Sequence, residues 1–187
     1  MADAILEAAK VLVDLGAVRV DVAVPEIDQM VESWLVICAV DSLVAHDGLY
    51  PEKSSNYGPA FLGNLEYGAT VTGAAYARAR MVQARIRAVY DEMFRACDVL
   101  VTPATADVAG VVGDRSNEAD HILASVGFVM PGNFNGRPSL TMPCGFSADD
   151  MPIALQIVGN PRDETSICRL GRAYESAIGW HERRPAI

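Results

Sequence analysis

The sequence predicts an α/β fold in which a mixed β-sheet is flanked by helices. Segments with helical apolar spacing alternate with short apolar runs bounded by turn residues, a pattern typical of layered α/β proteins. Of the 187 residues, 51% are hydrophobic and 21% are charged, so the chain is long and apolar enough to bury a core. This length corresponds to about one domain, and we expect residues 1–187 to form a single one.

The N-terminal quarter predicts a helix, a strand and a second helix. Asp3 can cap the first helix, whose apolar residues recur at helical spacing up to Gly16, a residue suited to ending it. Residues 18–24 carry valine at every second position, which predicts a strand with one apolar face. Pro25 ends that strand and suits the first turn of a helix over about 26–45.

The middle of the chain predicts a loop region followed by a long helix. Residues 47–70 are rich in glycine and proline and are expected to form loops. From about 72 to 96, apolar residues step by three and four positions and predict a helix with one buried face. Arginines at the other positions are typical of a solvated helix face.

The C-terminal half predicts three further strands and a closing helix. The strands are short apolar runs at about 98–102, 138–142 and 153–158. Residues 103–137 are loop-rich, with room for a helix near 118–126, and Cys144–Pro152 join two strands as a loop or hairpin. The last helix begins at Asp163.

Charge and hydropathy exclude several classes of protein. The net charge is −9 and the isoelectric point is about 4.7, whereas proteins that bind duplex nucleic acid usually have a basic surface. No run of 18 or more apolar residues predicts a membrane span, and the first residues lack the basic region of a secretory signal. We therefore expect a cytoplasmic protein that binds neither nucleic acid nor membrane.

Cysteines and histidines do not form a metal-binding motif in the sequence. The four cysteines include no C-x-x-C pair, and the three histidines are scattered. We expect reduced thiols, with Cys38 and Cys97 buried as small hydrophobes. No metal and no other cofactor is expected.

The residues taken alone do not define a catalytic site. Motifs of serine hydrolases, zinc peptidases, and phosphate- or dinucleotide-binding loops are absent from the sequence. Asp149 and Asp150 are a candidate carboxylate pair, but two acids between strands usually belong to a turn. Lys10 and Lys53, the two lysines, are interpreted as solvated side chains.

Four segments of the second half carry motifs that occur together in one family. They are Cys97–Pro103, ending in Thr-Pro; Pro131–Gly145, with Asn-x-x-Gly-x-Pro followed by Pro-Cys-Gly; Pro152–Gly159, with Pro-Ile-x-Leu-Gln; and Trp180-His181 with Pro185. In order and spacing they resemble the C-terminal part of the amidase signature family. The first 96 residues fit that family more loosely, so the resemblance covers essentially the whole chain.

The resemblance implies a function but no catalytic residue in this chain. Members of that family hydrolyse amides with a Ser–Ser–Lys triad, and both the serine-bearing signature and the lysine lie upstream of the region matched. The chain is therefore expected to be the C-terminal portion of a hydrolase of carboxylic amide C–N bonds, contributing sheet and substrate pocket, and to be inactive alone. The alternatives are a non-catalytic module that binds a small ligand and a structural or interaction fragment.

Three departures from the family pattern refine this expectation. Pro59–Gly63 contain no arginine where the glutamine-using amidotransferase of the family binds its substrate carboxylate, which favours a general amidase. Ala154 replaces the usual glycine, and Arg137 replaces a residue that is usually apolar.

A substrate cleft for a small amide is expected beyond the C-terminal ends of the 98–102 and 138–142 strands, because open α/β sheets bind ligands there. The candidate residues are Thr102, Pro103, Ala104, Thr105 and Asn133. The amide of Asn133 suits either a hydrogen bond to the ligand or the stabilisation of a turn.

The resemblance also implies a partner. A missing half would cover one edge of the sheet, so we expect a homodimer or a complex with an N-terminal-half polypeptide that buries at least about 1,000 Å². The alternative is a monomer in which the loops at 47–70 and 103–130 cover the exposed surface.

Overall fold

The computed structural model describes residues 1–24, 28–110 and 118–184. In these ranges the chain forms, in order, α1 (Ala2–Asp14), α2 (Asp28–Ala45), α3 (Pro59–Thr70), α4 (Gly73–Met93), β1 (Val99–Pro103), α5 (Glu118–Asn135), β2 (Ser139–Phe146), β3 (Pro152–Gly159) and α6 (Glu164–Ile178). Short 3₁₀ helices occupy Ser54–Asn56 and Trp180–Glu182. The chain divides into two compact units, Met1–Val24 with Tyr90–Ile187, and Pro25–Val89. That the chain is a single domain stays a prediction.

The sheet of the first unit has the order β1-β3-β2, and β3 pairs antiparallel with both neighbours. Because β1 and β2 each oppose β3, they run in the same direction. Their C-terminal ends therefore lie at one end of the sheet, beside the start of β3. The α/β class is confirmed, and the sheet is antiparallel throughout the described strands rather than mixed.

The strand predicted at 18–24 does not form among the described residues. These residues have no regular secondary structure, and Val18 is 85% exposed. Alternating valines specify which side chains share a face, but a strand also needs a neighbouring edge to satisfy its N–H and C=O groups. The described part of the chain offers residues 18–24 no such pairing.

Helices α1 and α6 cover one face of the sheet and form the main core with it. The buried members are Ala8, Leu12, Met142, Cys144, Ile153, Leu155, Ile157, Ile167 and Tyr174. Asp163 caps α6, because its side chain accepts a 3.3 Å hydrogen bond from the N–H of Ser166. Asp3 lies in the first turn of α1, where its charge favours the helix dipole, and does not cap that helix.

Helix α5 replaces most of the loop expected before β2. It runs as one helix to Asn135 in spite of Pro131, whereas the sequence predicted only a short helix near 118–126. Met130 and Phe134 are 0% and 1% exposed. The burial of these two large side chains outweighs the poor helix propensity of the proline and glycine between them.

Arg137 anchors the chain where α5 leads into β2. Its side chain is only 2% exposed and donates to Asp91 Oδ1 at 2.5 Å, to Asn160 Oδ1 at 3.2 Å and to the Gly159 carbonyl at 3.4 Å. The guanidinium carbon lies 4.1 Å from the ring centroid of Phe94. Burial lowers the pKa of Arg137, and the charge of Asp91 opposes that shift. Arg137, which departs from the family pattern, thus links the end of α4 to the end of β3 through these hydrogen bonds.

The second unit contains α3 where the sequence predicted loops. Pro59 occupies the first turn of this helix, where its fixed φ and missing N–H are tolerated. Gly68 faces α2 so closely that a Cβ added to it would lie 2.4 Å from the carbonyl oxygen of Ala39. Gly68 therefore permits close helix packing rather than ending the helix.

Replacing Gly68 with alanine is expected to destabilise the protein by about 1 to 3 kcal/mol, because the added methyl meets main-chain atoms that cannot rotate away. Gly63 of the same helix has nothing within 4 Å of such a Cβ, so Gly63→Ala should stabilise by about 1 kcal/mol. Urea unfolding of the two variants and the parent measures both changes. Equal effects of the two substitutions would contradict the packing described.

Cys144 couples the stability of the core to alkaline pH. Of the four cysteines, Cys144 is the buried one. Cys38 and Cys97 are only partly buried, so the prediction that both are buried is wrong. Apolar neighbours in the sequence do not ensure that a side chain is covered in the fold. Burial raises the pKa of the Cys144 thiol from 9.0 to about 11. Burial, with Cys144 nearby, also raises the pKa of Tyr174 to about 12.

The raised pKa of Cys144 stabilises the folded state below pH 9 and loses this effect as the pH rises towards 11, because the unfolded thiol ionises first. We expect the free energy of unfolding to fall by about 2 to 3 kcal/mol across that window. Denaturant titrations at several pH values, compared with Cys144→Ala, isolate this contribution from that of Tyr174. A pH profile that is the same in the parent and the variant would contradict it.

Candidate amide-binding site

A row of polar side chains crosses the sheet on the face opposite the main core. Thr102 of β1 is aligned with Gln156 of β3, which is aligned with Thr141 of β2. Gln156 is 4% exposed, Thr102 is half-buried and Thr141 is exposed. The row is therefore most buried at its centre, Gln156, and most accessible at Thr141 on β2.

The side-chain amide of Gln156 links this row to α5. Its Nε2 donates to the carbonyl oxygen of Phe128 at 3.1 Å and lies 3.5 Å from Thr102 Oγ1, the outer limit of a hydrogen bond. A buried amide without a partner would cost about 1–3 kcal/mol, so these contacts fix where α5 crosses the sheet.

The residues after β1 form a small turn that holds its own shape. Pro103 ends the strand, and Ala104 is buried and donates its N–H to the carbonyl of Ala154 at 3.0 Å. Thr105 is exposed, and its Oγ1 donates to the carbonyl of Asp107 at 2.7 Å. The hydroxyl oxygen of Thr105 keeps its capacity to accept a hydrogen bond.

Asn133 lies in the last turn of α5 and is exposed, instead of lying in the loop or turn that the sequence predicted. It follows Phe128 by five residues, a rise of about 7.5 Å along a helix. The structure thus brings Thr102, Pro103 and Thr105 together at the end of β1. Among the described contacts none joins Asn133 to them, although Asn133 belongs to the helix that crosses this face.

Sequence reasoning missed Gln156 as a member of the site. It is the one polar side chain in the run from Ile153 to Val158, and a buried polar group in an apolar strand requires a hydrogen-bond partner. This rule indicates from the sequence that Gln156 needs a partner. It does not identify that partner, the Phe128 carbonyl, because every residue has a backbone carbonyl.

The polar groups of this candidate site have the chemistry to hydrogen-bond an amide. Hydroxyl and carboxamide groups donate to a carbonyl oxygen and accept from an amide N–H. The chain's lysines do not complete a hydrolytic site: Lys10 is exposed and pairs with Glu7 at 2.5 Å, and Lys53 is exposed. A lysine that acts as a base needs a desolvated setting beside its serine, which neither has.

Metal ligands and membrane-spanning helices are two other features that bear on function. In the described ranges, no three His, Cys, Asp or Glu side chains are grouped as a metal ion would require. Over the same part of the chain, no helix has the length and apolarity needed to cross a membrane.

Comparison with curated proteins gives long matches to parts of larger chains. A glutamyl-tRNA(Gln) amidotransferase subunit of Chloroflexus aggregans is 30% identical over 203 residues, which cover 96% of this chain and 41% of that protein. An amidase of Pseudomonas putida is 32% identical over 186 residues, covering 94% of this chain and 39% of that one. The chain thus spans about two fifths of the length of these relatives.

Solved structures share the fold. A chain from a vestigial protein complex related to an s-triazine catabolic enzyme superposes with a TM-score of 0.80 at 24% identity, covering 95% of this chain and 39% of that one. The 6-aminohexanoate cyclic dimer hydrolase superposes with a TM-score of 0.77 at 24% identity, covering 98% and 42%. Residues 1–168 also match the protein family described as Amidase. The chain therefore belongs to the amidase family, as the four motifs of its second half indicate.

Proposed function

We propose that this chain is the C-terminal part of an enzyme that hydrolyses carboxylic amide C–N bonds. The observation that carries the proposal is the family match over residues 1–168, in a chain that reaches only about two fifths of the relatives' length. In this proposal the serine nucleophile and the lysine base lie in the part of the enzyme that this chain does not include. The names of several similar proteins, an amidase and a cyclic dimer hydrolase among them, support this reaction class.

In this proposal the end of β1 contributes the substrate pocket. Thr102 and Thr105 hydrogen-bond the amide, Pro103 presents an apolar ring beside them, and Asn133 contributes its carboxamide from α5. Gln156 holds the sheet and α5 at a fixed separation through the Phe128 carbonyl. The substrate is a small amide.

The partner is an N-terminal-half polypeptide that carries the triad. The alternative is a homodimer, which would cover the exposed edge of the sheet without supplying a triad. Two comparisons support assembly in general: one relative is named as a subunit, and one similar structure is of a protein complex. A cytoplasmic location is part of the same proposal. The absence of arginine from Pro59–Gly63 favours a general amidase over a glutamine-using amidotransferase.

A second candidate function is a module that binds amides without hydrolysing them. One observation favours it: the polar row lies within this chain, whereas both lysines are exposed. Binding of an amide fragment without turnover, in every assembly tested, distinguishes this candidate from the first.

The isolated chain is expected not to hydrolyse a nitroanilide of a simple carboxylic acid, because it lacks an activated nucleophile. Mixing it with the part of the Pseudomonas putida amidase outside the matched segment should restore hydrolysis that a serine reagent blocks. Release of nitroaniline measures both. Hydrolysis by the pure chain, or an assembled complex without activity, would contradict the proposal.

Within that assembled enzyme, Thr102→Val and Asn133→Ala should each lower kcat/KM by about tenfold, the value of one lost hydrogen bond to the bound amide. Thr165→Val is the matched control, since Thr165 is exposed on α6, at the other face of the sheet. Steady-state kinetics measures kcat/KM, and thermal unfolding of each variant shows whether a loss of activity comes from a loss of folding. Equal kcat/KM for all three variants would remove Thr102 and Asn133 from the pocket.

A further inference from the structure

Ala154 of β3 lies on the same face of the sheet as Gln156. Side chains two positions apart on a strand point to the same face, and the flanking Ile153 and Leu155 belong to the main core on the other face. Ala154 therefore points to the side of the sheet that carries the candidate amide-binding site. It stands where the family pattern has glycine, so its methyl group is a feature of this chain.

The neighbours of Ala154 leave it open on one side. On β1, Ala104 donates its N–H to the carbonyl of Ala154 at 3.0 Å and is 7% exposed. On β2, the residue aligned with Ala154 is Pro143, which is exposed, and Ala154 itself is half-buried. The β1 side of this position is therefore covered, whereas the β2 side is accessible to a ligand.

Ala154 lies one step along the strands from the polar row of Thr102, Gln156 and Thr141. Two residues of an antiparallel strand span about 6.8 Å, so the side chains of Ala154 and Gln156 are separated by about that distance. Since a C–C bond is about 1.5 Å long, an acyl chain of about five carbons covers it. An amide bound at the polar row thus places a short acyl chain over Ala154 and Pro143.

The chemistry of these positions favours an acyl group without charge. Ala154 and Pro143 are apolar, and the three residues of the polar row are neutral hydroxyl and carboxamide side chains. A carboxylate or ammonium group that leaves water without finding a partner is costly. The five residues offer such a group no partner of opposite charge.

We propose that Ala154 and Pro143 form the acyl subsite of the enzyme and restrict its substrates to amides of short, uncharged aliphatic acids. Ala154 forms the floor of this subsite and limits the length of the acyl chain. Pro143 forms its open side and supplies an apolar surface. The inference rests on the proposed function, because it assigns a part of the amide-binding site proposed there.

A purely structural role of Ala154 leads to a different result. A methyl group that only packs against protein changes the stability and lowers the activity on all substrates alike. A methyl group that lines the acyl subsite changes kcat/KM for long acyl chains relative to short ones. The ratio of kcat/KM values for two amides in the same variant separates the two roles.

Aliphatic primary amides test the floor of the subsite, because the acyl chain is their only apolar group. In the complex with the Pseudomonas putida remainder, Ala154→Val should lower the ratio of kcat/KM for hexanamide to that for acetamide by at least about tenfold, since one methylene in a pocket changes kcat/KM by about 10-fold to 200-fold. Ala154→Gly should raise this ratio by at least about threefold. Ammonia release measures both.

Ala177→Val is the matched control for these two variants. Ala177 is exposed on α6, which covers the other face of the sheet. Its hexanamide-to-acetamide ratio should stay within about twofold of the parent. Thermal unfolding of every variant shows whether a loss of activity comes from a loss of folding.

A lysine at position 143 tests the open side of the subsite by a gain of activity. Succinamate resembles butyramide with a carboxylate in place of the terminal methyl group. Pro143→Lys should raise the ratio of kcat/KM for succinamate to that for butyramide by at least about threefold, the value of a partly exposed ion pair. Thr165→Lys adds the same charge on the exposed side of α6 and should leave this ratio within about twofold.

The outcomes separate the acyl subsite from the proposed function. An active complex in which the Ala154 variants keep the parent's hexanamide-to-acetamide ratio, or in which Pro143→Lys keeps its succinamate ratio, overturns the subsite and leaves the proposed function standing. A parent complex that prefers succinamate to butyramide, or that hydrolyses the nitroanilide and none of the aliphatic amides, overturns the substrate class alone. A parent complex that hydrolyses none of these compounds overturns both.

Discussion

The register of β3 is the constraint on which the rest of the first unit depends. Ile153, Leu155 and Ile157 face the core beneath α1 and α6, while Gln156 faces α5. A slip of one residue would turn Gln156 into the apolar core and expose Ile157. The hydrogen bond from Gln156 to Phe128 and the burial of the isoleucines thus select the same register.

Because of that register, the two faces of this small sheet differ in polarity. The α1–α6 face is apolar and closed, with Cys144 and Tyr174 among its buried groups. The other face carries the row from Thr102 to Thr141 and is covered in part by α5. The buried apolar contacts that stabilise the sheet therefore lie on the first face, and the second face carries the polar groups.

The sequence predicted most elements whose apolar pattern coincides with their packing. β1, β2 and β3 lie within a few residues of their expected positions, and α6 begins after Asp163. Helix α3 was missed and α5 was predicted too short, because glycine and proline were taken as helix breakers. In the structure, Gly68 allows a close helix contact, and Pro131 lies beside the buried Met130. Residues 18–24 show the reverse error: their pattern is that of a strand, but pairing depends on an edge that periodicity does not reveal.

In the candidate site too, the sequence predicted the positions that depend on local pattern and not those that depend on tertiary contacts. Thr102, Pro103 and Thr105 could be located from sequence because they follow an apolar run that ends a strand. The sequence predicts a loop at Asn133, whereas the structure has a helix there, because the burial of Phe134 depends on tertiary contacts that the local sequence does not reveal. The reaction class came from motif resemblance, because the periodicity and composition of this chain contain no catalytic pair.

Pro103 has a consequence for the behaviour of this chain in concentrated solution. Exposed sheet edges template open-ended stacking of strands, which is the first step of fibrous aggregation. Here the outward edge of β1 offers N–H donors only at Val99 and Val101 before the proline interrupts the series. An edge with only two donors before the proline pairs weakly with the end of a growing fibril.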